Sequence, residues 1–142
     1  MYIIFVCTGN TCRSPMAEAI AAHIHGGRHT FASRGLQVFG GGAERNAMDA
    51  LTKIGVKHTL KSHIPKTLSE NDAAEAALIL AMTEAHRAGI AAAFPQHAHK
   101  ARTLAENTDI PDPFGGNLET YISCAEEIRR YIIGIDFETV LM

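Results

Sequence analysis

The most constraining feature of this chain lies at its start, where a short apolar run passes directly into a polar, glycine-containing loop. Tyr2 to Val6 is β-branched and aromatic, as a buried central strand requires. Cys7-Thr8-Gly9-Asn10-Thr11-Cys12-Arg13-Ser14 follows at once, and then Pro15. Proline suits the opening of a helix, where its missing N–H is not needed. Met16, Ile20 and Ile24 recur at four-residue intervals and predict an apolar stripe on a helix from Pro15 to His25, ended by Gly26-Gly27. A polar loop is therefore expected at the end of a strand and the beginning of a helix.

The rest of the chain continues the alternation, which predicts an α/β fold with an open parallel sheet covered on both faces. His29 to Leu36 reads as a second strand, followed by a flexible connector at Gly40-Gly41-Gly42. Ala47, Leu51 and Ile54 mark a helix closed by Gly55, and Lys57 to Thr67 reads as loop. Ser69 with Asp72 three residues on resembles a capping box opening a short helix. Ala77 to Met82 predicts a third strand, and Thr83 a cap for a helix from Glu84 to Ala93 that stops before Phe94-Pro95. Ala101 to Leu104 is a weak fourth strand. Asn117 caps a final helix carrying Leu118, Ile122, Ala125, Ile128 and Ile132 at helical spacing. No pattern assigns residues 135–142.

At 142 residues, one domain spanning residues 1–142 is expected. A formal net charge of −2 gives no global reason for nucleic-acid or anionic-membrane binding, and no stretch is long enough to span a bilayer. The apolar start lacks a cationic leader. Three cysteines, two of them five positions apart, fit a reducing compartment better than a disulfide framework, so a cytoplasmic protein is expected.

The loop between strand and helix has the makings of an anion site. Successive backbone N–H groups in a tight loop point inward, and a helix N-terminus adds partial positive charge. Gly9 permits close backbone approach. Thiols in such places are held as thiolates, their pKa falling from ~8.5 to below 7 beside a helix N-terminus and an arginine. Arg13 offers a planar fork for two phosphoryl oxygens, and Ser14 can donate to the sulfur of Cys7. Asp112, stiffened between Pro111 and Pro113, reads first as a turn-forming residue when taken alone; paired with the Cys7 loop it becomes the candidate acid for a leaving group.

With these residues in place, the sequence resembles a low-molecular-weight protein tyrosine phosphatase over essentially its whole length. The stretch FVCTGNTCRSPMAEA, a Ser33-Arg34-Gly35 turn, LILAMT and DPFGG carry the resemblance in order and spacing. It implies a flavodoxin-like three-layer sandwich with a four-stranded parallel sheet. It also implies Cys7 as nucleophile, Arg13 as phosphate clamp and Asp112 as general acid. Asn10 would hold the loop, Ser14 would bond the thiolate, and Thr8, Gly9, Thr11, Cys12 and Phe114 would complete the phosphate and substrate site. No metal or other cofactor is implied. The implied partners are phosphorylated protein substrates, with no nucleic acid and no membrane, and the chain is expected to be a monomer or weak dimer.

Thr11 gives a closer resemblance, to the bacterial branch that removes phosphate from protein phosphoarginine. Phosphotyrosine-directed members usually carry a bulkier aliphatic residue there. A guanidinium leaving group brings N–H donors into the pocket, and a buried donor without a partner costs ~1–3 kcal/mol. Thr11 Oγ1 and the Asp112 carboxylate can accept such donors. A phenyl ring would instead want aromatic walls, yet the chain has no Trp, and Phe114 is followed by Gly115-Gly116. Phe114 can flank either substrate, so phosphotyrosine stays open as the alternative.

Several residues carry two readings. Cys12 is either a small loop filler or a partner that captures oxidised Cys7 in a reversible disulfide. Cys124 reads as core or surface filler. Phe39 is a candidate substrate contact on a glycine-rich rim. The pairs His23/His25 and His97/His99 lack a familiar ligand set and read as solvated histidines. Positions 83–95 hold no cysteine, which disfavours a thiol-dependent arsenate reductase. A catalytically silent phosphate or redox module is the remaining class, disfavoured by the presence of both Cys7 and Asp112.

Overall fold

The computed structural model describes residues 1–140, so Leu141 and Met142, at the end of the unassigned tail, lie outside the described residues. Four parallel strands form one sheet in the order β2-β1-β3-β4: β1 at Tyr2–Cys7, β2 at Thr30–Gly35, β3 at Leu78–Ala81 and β4 at Ala101–Thr103. Alternation along the central strand sorts its side chains between two cores. Ile3, Phe5 and Cys7 join α1 (Arg13–His25), α2 (Arg45–Lys53) and α5 (Leu118–Ile133) on one face. Ile4 and Val6 join α3 (Glu70–Glu75) and α4 (Glu84–Ala93) on the other. The result is the expected flavodoxin-like three-layer sandwich.

The helix starts follow local chemistry. Ser69 and Asp72 form a reciprocal capping box on α3, Thr83 accepts from the His86 N–H at α4, and Asn117 accepts from the Thr120 N–H at α5.

Other boundaries differ from the sequence expectation. Strand β1 runs through Cys7, because the pairing of Cys7 with Gly35 completes the ladder. Helix α1 opens at Arg13, which places Pro15 inside its first turn, where N–H groups have no helical partner anyway. Ser33-Arg34-Gly35 is the end of β2 rather than a turn, and the chain bends at Leu36, whose N–H reaches both Cys7 O (3.1 Å) and Thr8 O (3.0 Å). Met16 and Ile20 are fully buried, yet Ile24 is 37% exposed. Steps of four residues overshoot the 3.6-residue turn, so by the third position the stripe has rotated off the core. The Lys57 to Thr67 loop holds a 3-10 turn at Leu60–Ser62 that buries Leu60. The tail forms a short helix, α6 (Phe137–Val140), anchored by buried Phe137.

Candidate active site

The C-terminal ends of the parallel strands share one edge, and the register places Cys7 beside Gly35 there. The loop leaving Cys7 is packed against β2 without spare room. A Cβ on Gly35 would stand 2.7 Å from Thr8 O, 2.8 Å from Val38 Cγ2 and 3.1 Å from Asn10 Cβ. Only glycine admits this approach.

Two residues shape the loop from behind. Asn10, fully buried, adopts a left-handed backbone (φ 58°), a conformation asparagine tolerates better than most side chains. Its Oδ1 accepts from the Lys66 N–H at 3.0 Å, its carbonyl lies 2.8 Å from His63 Nε2, and its Nδ2 donates to Ser14 Oγ at 2.9 Å. Ser14 Oγ then lies 2.9 Å from Cys7 Sγ and 3.3 Å from Arg34 O. Neither Asn10 nor Ser14 lines the cavity in front of the loop; both act on its shape.

That cavity, of about 440 Å³, is lined by Cys7, Thr8, Gly9, Thr11, Cys12 and Arg13, with Asp112 and Phe114 from the loop after β4. Arg13 is buried; its Nη1 donates to Ile110 O at 2.9 Å, and its Nη2 lies 3.7 Å from Asp112 Oδ2. Asp112 is 55% exposed at its side chain and accepts from the Phe114 N–H at 3.1 Å through Oδ1, while Oδ2 is the atom nearer Arg13. Phe39 (86% exposed) and Phe114 (67% exposed) flank the opening. The arrangement places a thiol, a fixed guanidinium and a carboxylate around one space, with loop N–H groups at a helix start. It is suited to in-line transfer of a phosphoryl group through sulfur.

Family comparison agrees. Residues 2–137 match the model for low molecular weight phosphotyrosine protein phosphatase. The chain is a member of this family. It is 38% identical over 141 residues to the protein-arginine-phosphatase of Bacillus subtilis strain 168, covering 93% of this chain and 92% of that protein. It is 34% identical over 136 residues to the low molecular weight protein-tyrosine-phosphatase PtpB of Staphylococcus aureus, covering 94% and 95%. Among solved structures, a cysteine-to-serine mutant of the YwlE arginine phosphatase with phosphorylated active-site serine superposes with a TM-score of 0.88 at 34% identity, covering 100% of both chains. The low molecular weight protein tyrosine phosphatase of T. tengcongensis does so with a TM-score of 0.87 at 37% identity, covering 94% and 95%.

Within this low molecular weight phosphatase scaffold, four residues join the site that sequence reading did not select: Gln37 and Glu44 line the cavity, while His86 and Tyr121 stand behind it. His86 Nε2 lies 2.8 Å from Thr8 Oγ1, and its buried Nδ1 has no hydrogen-bond partner among the described residues. Burial, with the nearby Arg13 charge, lowers the His86 pKa to about 4, so the imidazole stays neutral. Tyr121 OH lies 3.4 Å from Cys12 Sγ, and Cys12 Sγ lies 3.6 Å from Thr11 Oγ1. Cys12 is buried, and its thiol pKa is raised chiefly by that burial. Cys7, Cys12 and Cys124 are all free thiols. Cys124 sits behind the Asp112 loop, 3.7 Å from Pro111 O, and burial pushes its pKa up to about 12. Among the described residues, no three His, Cys, Asp or Glu side chains gather as a metal site. The histidine pairs are not simply solvated: His25 packs edge-on against Phe137, and His97 reaches Glu70 Oε1 at 2.8 Å. No signal marked Gln37, Glu44, His86 or Tyr121, because each comes from a segment remote from the loop in sequence.

Proposed function

We propose that the chain hydrolyses phosphoarginine in proteins through a phosphocysteine intermediate. The observation that carries this reading is Thr11, a hydroxyl-bearing residue that lines the same cavity as Cys7 and Asp112. Cys7 Sγ attacks phosphorus while the P–N bond breaks, and Asp112 gives its proton to the departing guanidino nitrogen. Water then attacks the phosphocysteine. Asp112 takes a proton from that water, inorganic phosphate leaves, and the thiolate returns. Arg13 and the loop N–H groups of residues 8–13 hold the equatorial oxygens throughout, where charge stabilisation is worth most. Ser14 bonds the sulfur, Asn10 fixes the loop, and Thr8, Gly9, Cys12 and Phe114 bound the substrate. Similarity to a protein-arginine-phosphatase and to a cysteine-to-serine mutant with phosphorylated active-site serine supports both the substrate and the covalent step.

A second reading, hydrolysis of phosphotyrosine, is favoured by exposed Phe39 and Phe114 at the mouth, which offer ring surface to an aryl group. Rates on phosphoarginine and phosphotyrosine peptides for the wild type and Thr11→Ile decide between them. Preference for phosphoarginine that falls in Thr11→Ile supports the first. A wild-type preference for phosphotyrosine that Thr11→Ile leaves unchanged overturns it. The reading extends to one phosphatase domain over residues 1–142, acting in the cytoplasm on phosphorylated proteins as a monomer or weak dimer, without nucleic acid or membrane. No helix among the described residues is long and apolar enough to cross a membrane.

A further inference from the structure

Glu44 occupies a position where its side chain has an alternative use and does not take it. It is the N-cap residue of α2, a place where a short polar side chain ordinarily accepts a helix N–H. Its carboxylate makes no capping bond, and no ion pair joins it to a described residue. What holds the residue is its backbone: the Glu44 N–H donates to Thr11 O at 2.9 Å. The residue lines the cavity together with Thr11 and Asp112. Its charge reaches the cavity floor. The thiol pKa of Cys12 is raised first by burial; hydrogen bonds from Tyr121 and Thr11 oppose this, while the charges of Glu44 and Asp112 add to it.

The charges of this cavity are therefore unequal. One guanidinium, Arg13, lies at its base, and two carboxylates, Glu44 and Asp112, border it. Until Asp112 takes up the proton it later donates, a phosphoryl group entering the loop meets the repulsion of both; Glu44 repels it throughout. An aryl phosphate has nothing with which to offset it. A phosphorylated guanidinium carries its own cation one bond from phosphorus, and that cation lies toward the mouth when the phosphoryl group is seated. Two acceptors beside Thr11 also meet the demand of a guanidinium for several in-plane partners better than one would.

We propose that Glu44 is a specificity-determining residue, a second carboxylate that receives the guanidinium of phosphoarginine and disfavours dianionic aryl phosphates. The inference rests on the phosphoarginine reading and deepens it. The test compares wild type with Glu44→Gln on a phosphoarginine peptide and a phosphotyrosine peptide of matched sequence, at low and high salt. Glu44→Gln keeps the shape and removes the charge, and its melting temperature should match the wild type because no cap bond is lost. The expected result is a fall in kcat/KM for phosphoarginine of about two- to fivefold, as for a partly exposed charge contact. The phosphotyrosine rate should hold or rise, and the difference between the two enzymes should shrink in high salt. An equal change on both substrates, or none, overturns the role of Glu44 while a wild-type preference for phosphoarginine stands. If the wild type itself does not favour phosphoarginine, the substrate reading falls and this inference with it.

Discussion

Ser14 has three polar neighbours and one proton. Asn10 donates to its oxygen, so the hydroxyl proton is free for Cys7 Sγ or Arg34 O, and a thiolate is the stronger acceptor. That bond matters most when sulfur must leave the phosphocysteine. Ser14→Ala should lower kcat by about 10–100-fold, the worth of one hydrogen bond to a charged group. It should also turn an aryl phosphate time course into a fast burst followed by slow turnover, seen by stopped flow; a loss without a burst would place the defect in the first step. His86 yields a pH prediction. Its folded pKa of about 4 lies below the ordinary 6.5, so between these values the unfolded chain binds the extra proton. Stability must therefore fall as pH drops through that window, by at most about 1.4 kcal/mol per pH unit from this residue. His29, whose pKa is also lowered, chiefly by burial, acts in the same direction. Denaturant unfolding between pH 7 and 4.5 should show a shallower decline in His86→Asn, which keeps a donor for Thr8 but does not titrate.

At the scale of elements, the six-residue helix α3 depends on its cap. Asp72 closes the box with Ser69 and also holds Arg34, its Oδ2 accepting from Arg34 Nε at 3.0 Å. Asp72→Ala should cost about 1–2 kcal/mol in urea unfolding while leaving kcat/KM near the wild-type value; a large loss of activity would mean that Arg34 governs the phosphate loop more directly than its contacts indicate. This box was readable in the sequence, as were the caps Thr83 and Asn117, because each is a contact over three residues. That Cys7, Arg13 and Asp112 stand at a strand end, a helix start and a proline-bracketed loop was readable too, since those signals are local. The extension of β1 through Cys7 was not, for it depends on pairing with Gly35, nearly thirty positions away. Nor was Glu44, whose helix cap position gives no hint that the residue lines the cavity. Local rules recover elements and motifs; the walls of a cavity are set by which distant segments the sheet brings together.

At the scale of the molecule, the tail that the sequence left unassigned closes one end of the core. Phe137 sits among Phe31 (ring centroids 5.5 Å), His25 (5.1 Å) and His29 (5.5 Å). Phe137→Ala should cost about 3–5 kcal/mol, read as a lowered melting temperature, with the rate per folded molecule unchanged; a small effect would mean the aromatic cluster collapses onto the space. The opposite end of the sheet follows a different rule. Gly35 leaves the Cys7 loop no latitude, whereas Phe39 and Glu44 border the open cavity. A change of substrate is therefore easiest to build at the rim, where a substitution displaces water and leaves the packed loop as it is.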